Sequence, residues 1–218
     1  MFTDRILAAL VLALVGVGVV FALWPGLDLA TTRLVYDDGG FWNSPAAWRA
    51  RDVLRLAPFW LLGGLAVLWL ARRQVAPRLA APSGRALIFL IASLIIGPGL
   101  IVNLGLKDHS HRPRPVHVTQ FGGDEAFRPW DRFDGACKRN CSFASGEAAS
   151  SVWMLAPALL APPPFRAVAV VAAILYGVVT CALRVLVGGH FLSDVLFGGL
   201  LSALVVVALW RVYEKRRL

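Results

Sequence analysis

The chain of 218 residues is 58% hydrophobic and 16% charged, and its mean hydropathy is +0.67. A water-soluble domain of this size cannot bury so much apolar surface, so the composition excludes an ordinary globular protein and indicates a bilayer. The formal net charge of +9 comes from basic residues scattered through short hydrophilic gaps, which favours membrane orientation and an anion site over a nucleic-acid partner.

Six apolar stretches approach the roughly 20 residues that a helix needs to cross a bilayer. They are Ile6 to Trp24, Val53 to Leu70, Ala86 to Leu106, Ala148 to Ala161, Ala167 to Leu183 and Phe191 to Trp210. The first could be a signal peptide, but Trp24-Pro25-Gly26 is a poor cleavage site, which favours a membrane helix. The fourth is short, and Pro162-Pro163-Pro164 ends it. Because no internal repeat divides the chain, we predict an all-α fold in which a single six-transmembrane-helix bundle covers residues 1–218.

The hydrophilic segments predict how this bundle is oriented. The segment from Pro25 to Asp52 carries Trp42 and Trp48 beside arginines, which is typical of an amphipathic interfacial segment. Short loops rich in Lys and Arg lie on the cytoplasmic side. An even number of helices collects Arg5, Arg72, Arg73, Arg78, Arg85, Arg211, Lys215, Arg216 and Arg217 on one side. We therefore expect the long loop between helices 3 and 4, from Lys107 to Glu147, to face the periplasm or exterior.

Two of the three cysteines lie in this long loop. Cys137 and Cys141 are separated by three residues, whereas Cys181 lies in an apolar stretch. In an oxidising compartment the first two could form a disulfide, and the alternative is two free thiols in a turn.

Three polar clusters fall on the same predicted face of the membrane. The first, residues 107–115, follows the third apolar stretch, and the second, residues 144–147, precedes the fourth. The third, residues 184–194, runs from the fifth stretch into the sixth. Even numbers of helices between the clusters bring them to one face, so they predict a single site.

These clusters resemble the three signature motifs of the type 2 phosphatidic acid phosphatase and vanadium haloperoxidase superfamily. The matching residues are Lys107, Arg114 and Pro115 in the first motif and Arg184, His190 and Asp194 in the third. Leu183 stands where the third motif usually has Ser, and Ala144-Ser145-Gly146-Glu147 stands where the second reads Pro-Ser-Gly-His. The resemblance implies a phosphatase that works through a phosphohistidine intermediate, with no cofactor and no metal. The known haloperoxidases are soluble, so the lipid phosphatase branch fits this chain better.

The chemistry of His190 and Asp194 supports the same assignment. They are four residues apart at the start of a helix, so their side chains share one face. An Asp hydrogen-bonded to one imidazole nitrogen leaves the other nitrogen free to attack phosphorus. Gly188 and Gly189 are expected to make room for the bound group.

The cations and the start of the fourth helix are predicted to bind the phosphate. Lys107, Arg114 and Arg184 are suited to this because fixed cations stabilise the charge that spreads over the phosphoryl oxygens. Arginines at helix ends more often snorkel, but these lie on the face that the positive-inside rule disfavours. Ser145 and Gly146 precede a helix whose unpaired N–H groups form an anion site, and the alternative is simple capping by Ser145.

Glu147 stands where the family has a His that protonates the leaving oxygen. A carboxyl group can do this only if its pKa is raised, whereas nearby cations lower it. Three roles stay open: Glu147 is the acid; it orients a water or a substrate sugar hydroxyl; or His109 or His111 supplies the proton. We expect the first role, and the alternative to all three is a degenerate site without turnover.

Other segments are similar to a bacterial branch that includes lipid A 4'-phosphatase-like proteins. They are Gly97 to Asn103, Gln120 to Gly123 and Cys141 to Glu147. The branch implies a bacterial inner-membrane enzyme, with its active site facing the periplasm. It would hydrolyse the phosphate monoester or pyrophosphate of a lipid such as lipid A, phosphatidylglycerophosphate, phosphatidate or undecaprenyl pyrophosphate. Two alternatives are a lipid phosphotransferase with the same site and a non-catalytic carrier of lipids or anions; the sequence predicts no oligomeric state.

Overall fold

A computed structural model describes residues 2–37, 40–74 and 81–215, and most of these residues are helical. The helices are α1 (Phe2–Leu23), α2 (Gly26–Arg33), α3 (Pro45–Gln74), α4 (Gly84–Leu94), α5 (Gly146–Val152), α6 (Leu155–Leu159), α7 (Pro163–Leu186) and α8 (Leu192–Lys215). A π-helical segment, Ile95–Lys107, continues α4, and two 3₁₀ turns, Pro115–His117 and Thr119–Phe121, lie in the long loop. Of the basic residues that predicted orientation, Arg78, Arg216 and Arg217 lie outside the described residues.

Five helical stretches within the described residues are long and apolar enough to cross a membrane. They are Thr3–Leu23, Pro45–Gln74, Gly84–Lys107, Pro163–Leu186 and Leu192–Lys215, which correspond to five of the six predicted spans. Over the described ranges the all-α prediction holds except for one antiparallel pair of two-residue strands, β1 (Tyr36–Asp37) and β2 (Gly40–Phe41). This pair lies in the predicted interfacial segment, between α2 and α3.

The fourth predicted span, Ala148 to Ala161, does not form a helix of spanning length. It is divided into the short helices α5 and α6 near Trp153, so the predicted count of six long helices is not confirmed. Ser150 and Ser151 donate hydrogen bonds to backbone carbonyls three residues earlier, which competes with regular helical bonding. The Trp153 indole donates to Ser93 Oγ at 2.9 Å, which packs the break against α4.

The π-helical segment follows from the proline within it. Pro98 cannot donate a backbone hydrogen bond, and its ring crowds the preceding turn, so the regular i to i−4 pattern is lost. Asn103 Nδ2 donates to the Pro98 carbonyl at 2.7 Å and occupies part of the wider turn. The segment ends at Lys107, which places this cation at the helix terminus.

Helix α8 packs at the centre of the bundle and contacts α1, α4, α5, α7 and the π-helical segment. The N-terminus of α5 approaches α8 closely because Gly198 has no side chain: a Cβ there would lie 2.4 Å from the Ser145 carbonyl oxygen. The Ser145 N–H then donates to the Asp194 carbonyl at 3.0 Å. This close packing brings the second and third polar clusters together.

Candidate active site

His190 lies in the turn between α7 and α8, and its side chain is only 1% exposed. Its Nδ1 bonds the Ser142 carbonyl oxygen at 2.8 Å. A carbonyl oxygen only accepts hydrogen bonds, so Nδ1 carries the proton and Nε2 keeps a free lone pair. Nε2 is buried and has no hydrogen-bond partner among the described residues. The structure therefore presents one imidazole nitrogen as an available nucleophile.

The protonation of His190 suits this role. Burial lowers the pKa of its imidazole to about 3, and Arg184 and Arg114 act in the same direction. Asp194 raises the pKa but does not offset the burial. A base whose pKa is lowered this far is neutral throughout the physiological pH range.

Asp194 lies beside His190 but does not hold it in the predicted way. The closest approach is 3.8 Å, between Asp194 Oδ2 and His190 Nδ1, which is too long for a hydrogen bond. Its Oδ2 instead accepts from Ser142 Oγ at 2.5 Å and from the Phe191 N–H at 2.9 Å, and Arg112 Nη1 donates to Oδ1 at 2.5 Å. Asp194 thus orients the Ser142 segment, whose carbonyl bonds the imidazole.

The three predicted cations converge around this turn. Arg184 is 2% exposed, and its Nε lies 3.4 Å from Glu147 Oε2 without the geometry of a hydrogen bond. Arg114 donates from Nη2 to the Asn140 carbonyl at 2.9 Å. Lys107 interacts electrostatically with Arg114, Arg184 and Glu147. Like charges that interact in this way raise the energy of the free site, so a bound dianion would be stabilised.

Glu147 is an ionised partner of arginines. Arg51, from α3, donates to it twice, from Nη2 at 2.6 Å and from Nε at 3.2 Å. Burial raises the pKa of the Glu147 carboxyl, but Arg184 and Arg51 outweigh this and leave the pKa below its ordinary value. A carboxyl with a lowered pKa carries no proton at neutral pH, so this geometry disfavours the predicted acid role.

Gly188 and Gly189, which precede His190, lie in close contact with other side chains of the protein. Gly188 has a positive φ of 64°, and a Cβ there would lie 2.5 Å from the Phe41 ring. A Cβ on Gly189 would lie 2.2 Å from Arg184 Nη2. The pair therefore makes room for Phe41 and for the Arg184 guanidinium, and room for a bound group stays a prediction.

Ser145 and Gly146 lie at the N-terminus of α5, as predicted. Ser145 Oγ accepts from the Ala148 N–H at 3.3 Å, which is the geometry of an N-cap. A Cβ on Gly146 would lie 2.2 Å from Asn103 Oδ1, so this glycine permits contact with the π-helical segment. Capping by Ser145 is therefore observed, and phosphate binding by these residues remains a prediction.

His109 and His111, the two alternative proton donors, are exposed, and the Nδ1 atom of each ring lies within hydrogen-bonding distance of a backbone carbonyl oxygen. His109 Nδ1 lies 3.1 Å from the carbonyls of Leu104 and Gly105, at the end of the π-helical segment. His111 Nδ1 bonds the Cys137 carbonyl at 2.9 Å.

A disulfide closes a small ring, residues 137–141, in the same long loop that carries Arg114. Cys137 and Cys141 are bonded, with their Cα atoms 5.7 Å apart, and Cys181 is free. Asn140, whose carbonyl accepts from Arg114, lies within this small ring at a φ of 53°. The disulfide therefore restricts the carbonyl that orients Arg114.

Four contributors to the site were not predicted: Arg51, Arg112, Asp28 and Ser142. Arg112 is only two residues from Arg114 and is fully buried, and it joins Asp28 of α2 to Asp194 of α8. The sequence offered a signal for Arg112, because it lies inside the first motif, but none for Asp28 or for the pairing of Arg51. Among the residues that the structure describes, no group of three His, Cys, Asp or Glu side chains could hold a metal ion.

Comparison with known proteins identifies close relatives. Residues 86–218 match the family model described as the PAP2 superfamily. The lipid A 4'-phosphatase of Rhizobium leguminosarum is 32% identical over 216 residues, which cover 91% of this chain and 92% of that protein. The lipid A 4'-phosphatase of Francisella tularensis subsp. novicida is 43% identical over 130 residues, 59% of this chain and 57% of that protein. The match with this second relative thus spans little more than half of its length.

A solved structure shares the fold. It is the crystal structure of a transmembrane PAP2-type phosphatidylglycerolphosphate phosphatase from Bacillus subtilis, which matches with a TM-score of 0.64. The match covers 96% of both chains at 18% sequence identity, so it shows a common architecture.

Proposed function

The chain belongs to the PAP2 superfamily, and on that basis we propose that it is a membrane phosphatase for the phosphate monoester of a lipid, in the lipid A class. The observation that carries the proposal is His190, whose Nε2 is buried with no hydrogen-bond partner in the described part of the chain, while its Nδ1 is bonded to the Ser142 carbonyl. A neutral imidazole oriented in this way, beside three cations, is suited to attack a bound phosphoryl group.

The proposed reaction has two steps. His190 Nε2 attacks phosphorus, the bond to the lipid oxygen breaks, and that oxygen takes a proton from His109, His111 or a water molecule; the water that attacks in the second step returns this proton. Water then attacks the phosphohistidine, which restores the imidazole and releases inorganic phosphate. Lys107, Arg114 and Arg184 bind the phosphoryl oxygens in both steps, because charge spreads over these oxygens in each transition state.

We propose that Glu147 fixes Arg51 and Arg184 rather than protonating the leaving oxygen. On this proposal, Glu147→Gln keeps an oxygen that accepts from Arg51, and kcat falls by less than about tenfold without a change in the shape of the pH profile. The measurement is phosphate release between pH 5 and pH 9, with Glu214→Gln on the exposed end of α8 as the matched control. A fall of roughly 10³-fold together with loss of one limb of the profile would restore Glu147 as the acid. If Glu147→Gln behaves as expected, His109→Gln and His111→Gln test the two alternative donors.

An apolar groove supports a lipid as the substrate. It has a volume of about 610 Å³ and is lined mainly by α7 and α8, including Leu186 and Leu192, which flank the turn that carries His190. Ala182 and Val178 lie along its wall. An acyl chain in this groove would have its headgroup at the cations, so we propose that the groove binds a lipid tail.

A bulky residue in the groove should affect long lipids selectively. We expect Ala182→Trp to lower kcat/KM for the long-chain substrate by about tenfold, because it fills the groove, while a short-chain analogue with the same headgroup is unaffected. Val179→Trp is the control, because Val179 is 54% exposed on the same helix and is not part of the groove wall. Equal losses for both substrates would argue against a tail site here.

We propose that the active site faces the periplasm of a bacterial inner membrane. The disulfide between Cys137 and Cys141 supports this side, because disulfides persist in oxidising compartments. Arg85 lies at the opposite end of the helical stretch Gly84–Lys107 from Lys107, and Arg72 and Arg73 lie in the last turn of the preceding helix, α3, in agreement with a cytoplasmic location for the short basic loop.

A panel of lipids tests the proposed function. Detergent-purified protein is supplied with lipid A, phosphatidylglycerophosphate, phosphatidate and undecaprenyl pyrophosphate, and both inorganic phosphate and the lipid products are measured. We expect release of inorganic phosphate from lipid A with loss of its 4'-phosphate. Phosphate transferred to a second lipid would identify a phosphotransferase. Absence of any product from all four lipids would favour a carrier and contradict the proposal.

A further inference from the structure

A buried charged cluster joins α2, the long loop and the start of α8. Its members are Asp28, Arg112, Ser193 and Asp194, each at most 1% exposed. Arg112 Nη2 donates to Asp28 Oδ2 at 2.7 Å, and Arg112 Nη1 donates to Asp194 Oδ1 and Ser193 Oγ. Asp28 also accepts from the backbone N–H and the hydroxyl of Ser193, at 2.9 and 2.6 Å.

The guanidinium of Arg112 is fixed on every side. Its Nε donates to the Arg128 carbonyl at 2.8 Å, and its centre lies 4.5 Å from the Phe191 ring centroid and 5.5 Å from that of Phe127. Burying one cation and two carboxylates costs desolvation free energy unless each charge is fully paired. A cluster that served packing alone would be more stable with apolar side chains.

Hydrogen bonds through Ser142 connect this cluster to His190, the proposed nucleophile. The Arg112 carbonyl accepts from the Ser142 N–H at 2.8 Å, and Asp194, held by Arg112, accepts from the Ser142 hydroxyl at 2.5 Å. Ser142 is therefore fixed at its N–H and at its hydroxyl, and its remaining polar group, the carbonyl, bonds His190. No step of the proposed reaction requires Asp28 to touch the substrate.

We propose that Asp28 and Arg112 are positioning residues, which act through Asp194 and Ser142 to fix His190 with Nε2 directed at the phosphoryl group. This inference rests on the proposed function. It extends the machinery to α2, outside the three signature motifs, and it predicts that the effect of Asp28 depends on Asp194.

Kinetics of Asp28→Asn, alone and combined with Asp194→Asn, test this role. Asp28→Asn should lower kcat by about 10- to 100-fold with KM unchanged, as is typical when a group that orients a catalytic residue is removed. In the Asp194→Asn background the same change should cost less than about threefold, because the intermediary is already lost. Rates are normalised to the amount of phosphoenzyme formed in a burst, so unfolded protein does not count. Asp131→Asn, at an exposed position in the long loop, is the control.

A native kcat per active site in Asp28→Asn, or additive losses in the double variant, would overturn the proposal. If Asp28→Asn does not fold, Ser193→Ala tests the proposal instead, because this change removes one hydrogen bond to Asp28 and one to Arg112. We expect kcat of Ser193→Ala to fall several-fold with KM unchanged.

A readout that needs no turnover is the NMR signal of the His190 Nδ1–H. It should be sharp in the native protein and broadened in Asp28→Asn, and an unchanged signal counts against the proposal. Lack of phosphate release by the native protein, with this broadening present, would refute the proposed function alone.

Discussion

Replacement of His190 by Ala should reduce phosphate release from the lipid substrate by roughly 10⁴-fold or more, since removing a covalent nucleophile abolishes the two-step reaction. In the structure, Nε2 is the available nitrogen, and burial keeps the imidazole neutral by lowering its pKa to about 3. Within the described residues the side chain makes one hydrogen bond, to the Ser142 carbonyl, so its loss should leave the fold intact.

His190→Asn separates the chemistry from the structure. Its amide nitrogen can still donate to the Ser142 carbonyl, yet it cannot attack phosphorus, so this variant should be folded and equally inactive. His117→Ala, at an exposed His in the same protein, should retain native activity. The unfolding temperature of each variant in detergent and its rate of phosphate release are the measurements. Native turnover by His190→Ala would remove the nucleophile assignment.

Arg184→Lys should lower kcat/KM by about 10²- to 10³-fold although the charge is retained, because one oriented donor to the transition state is lost. The guanidinium lies against Gly189 and beside Glu147, in a space shaped for its planar fork. Gly189→Ala should produce a loss of similar size, because its Cβ would lie 2.2 Å from Arg184 Nη2 and displace the guanidinium.

Arg166→Lys is the matched control for this prediction. Arg166 lies in the first turn of the same helix, α7, at the opposite end from Arg184. We expect its activity to stay within about twofold of native. If Arg184→Lys and Arg166→Lys reduce kcat/KM equally, the guanidinium of Arg184 makes no special contribution to the transition state.

The long helices were predictable because apolar length alone specifies a membrane span. The interruption near Trp153 was not, because it depends on serine hydroxyls competing for backbone carbonyls and on the indole bonding Ser93 of α4. A hydropathy average over many residues does not detect individual hydrogen bonds of this kind. The same limitation applies to the π-helical turn, although Pro98 within the third apolar stretch gave a local signal of irregular hydrogen bonding.

The convergence of Lys107, Arg184 and His190 was predicted from the positions of their motifs relative to the membrane. The partners of these residues were not predicted, because they come from distant elements: Arg51 from α3 bonds Glu147, and Asp28 from α2 bonds Arg112. Spacing along one helix predicted that Asp194 would bond His190, but hydrogen bonds from Ser142 and Arg112 saturate that carboxylate. Hydrogen bonds between side chains of distant helices cannot be predicted from spacing along the chain.

The most direct test of the account is to trap the covalent intermediate. Protein turning over its lipid substrate is quenched in alkali, which preserves phosphohistidine, and the phosphorylated residue and ring nitrogen are identified by mass spectrometry and NMR. We predict phosphate on Nε2 of His190, since Nδ1 is bonded to the Ser142 carbonyl. Phosphate on Nδ1, on another residue, or on no residue during sustained turnover would contradict the account.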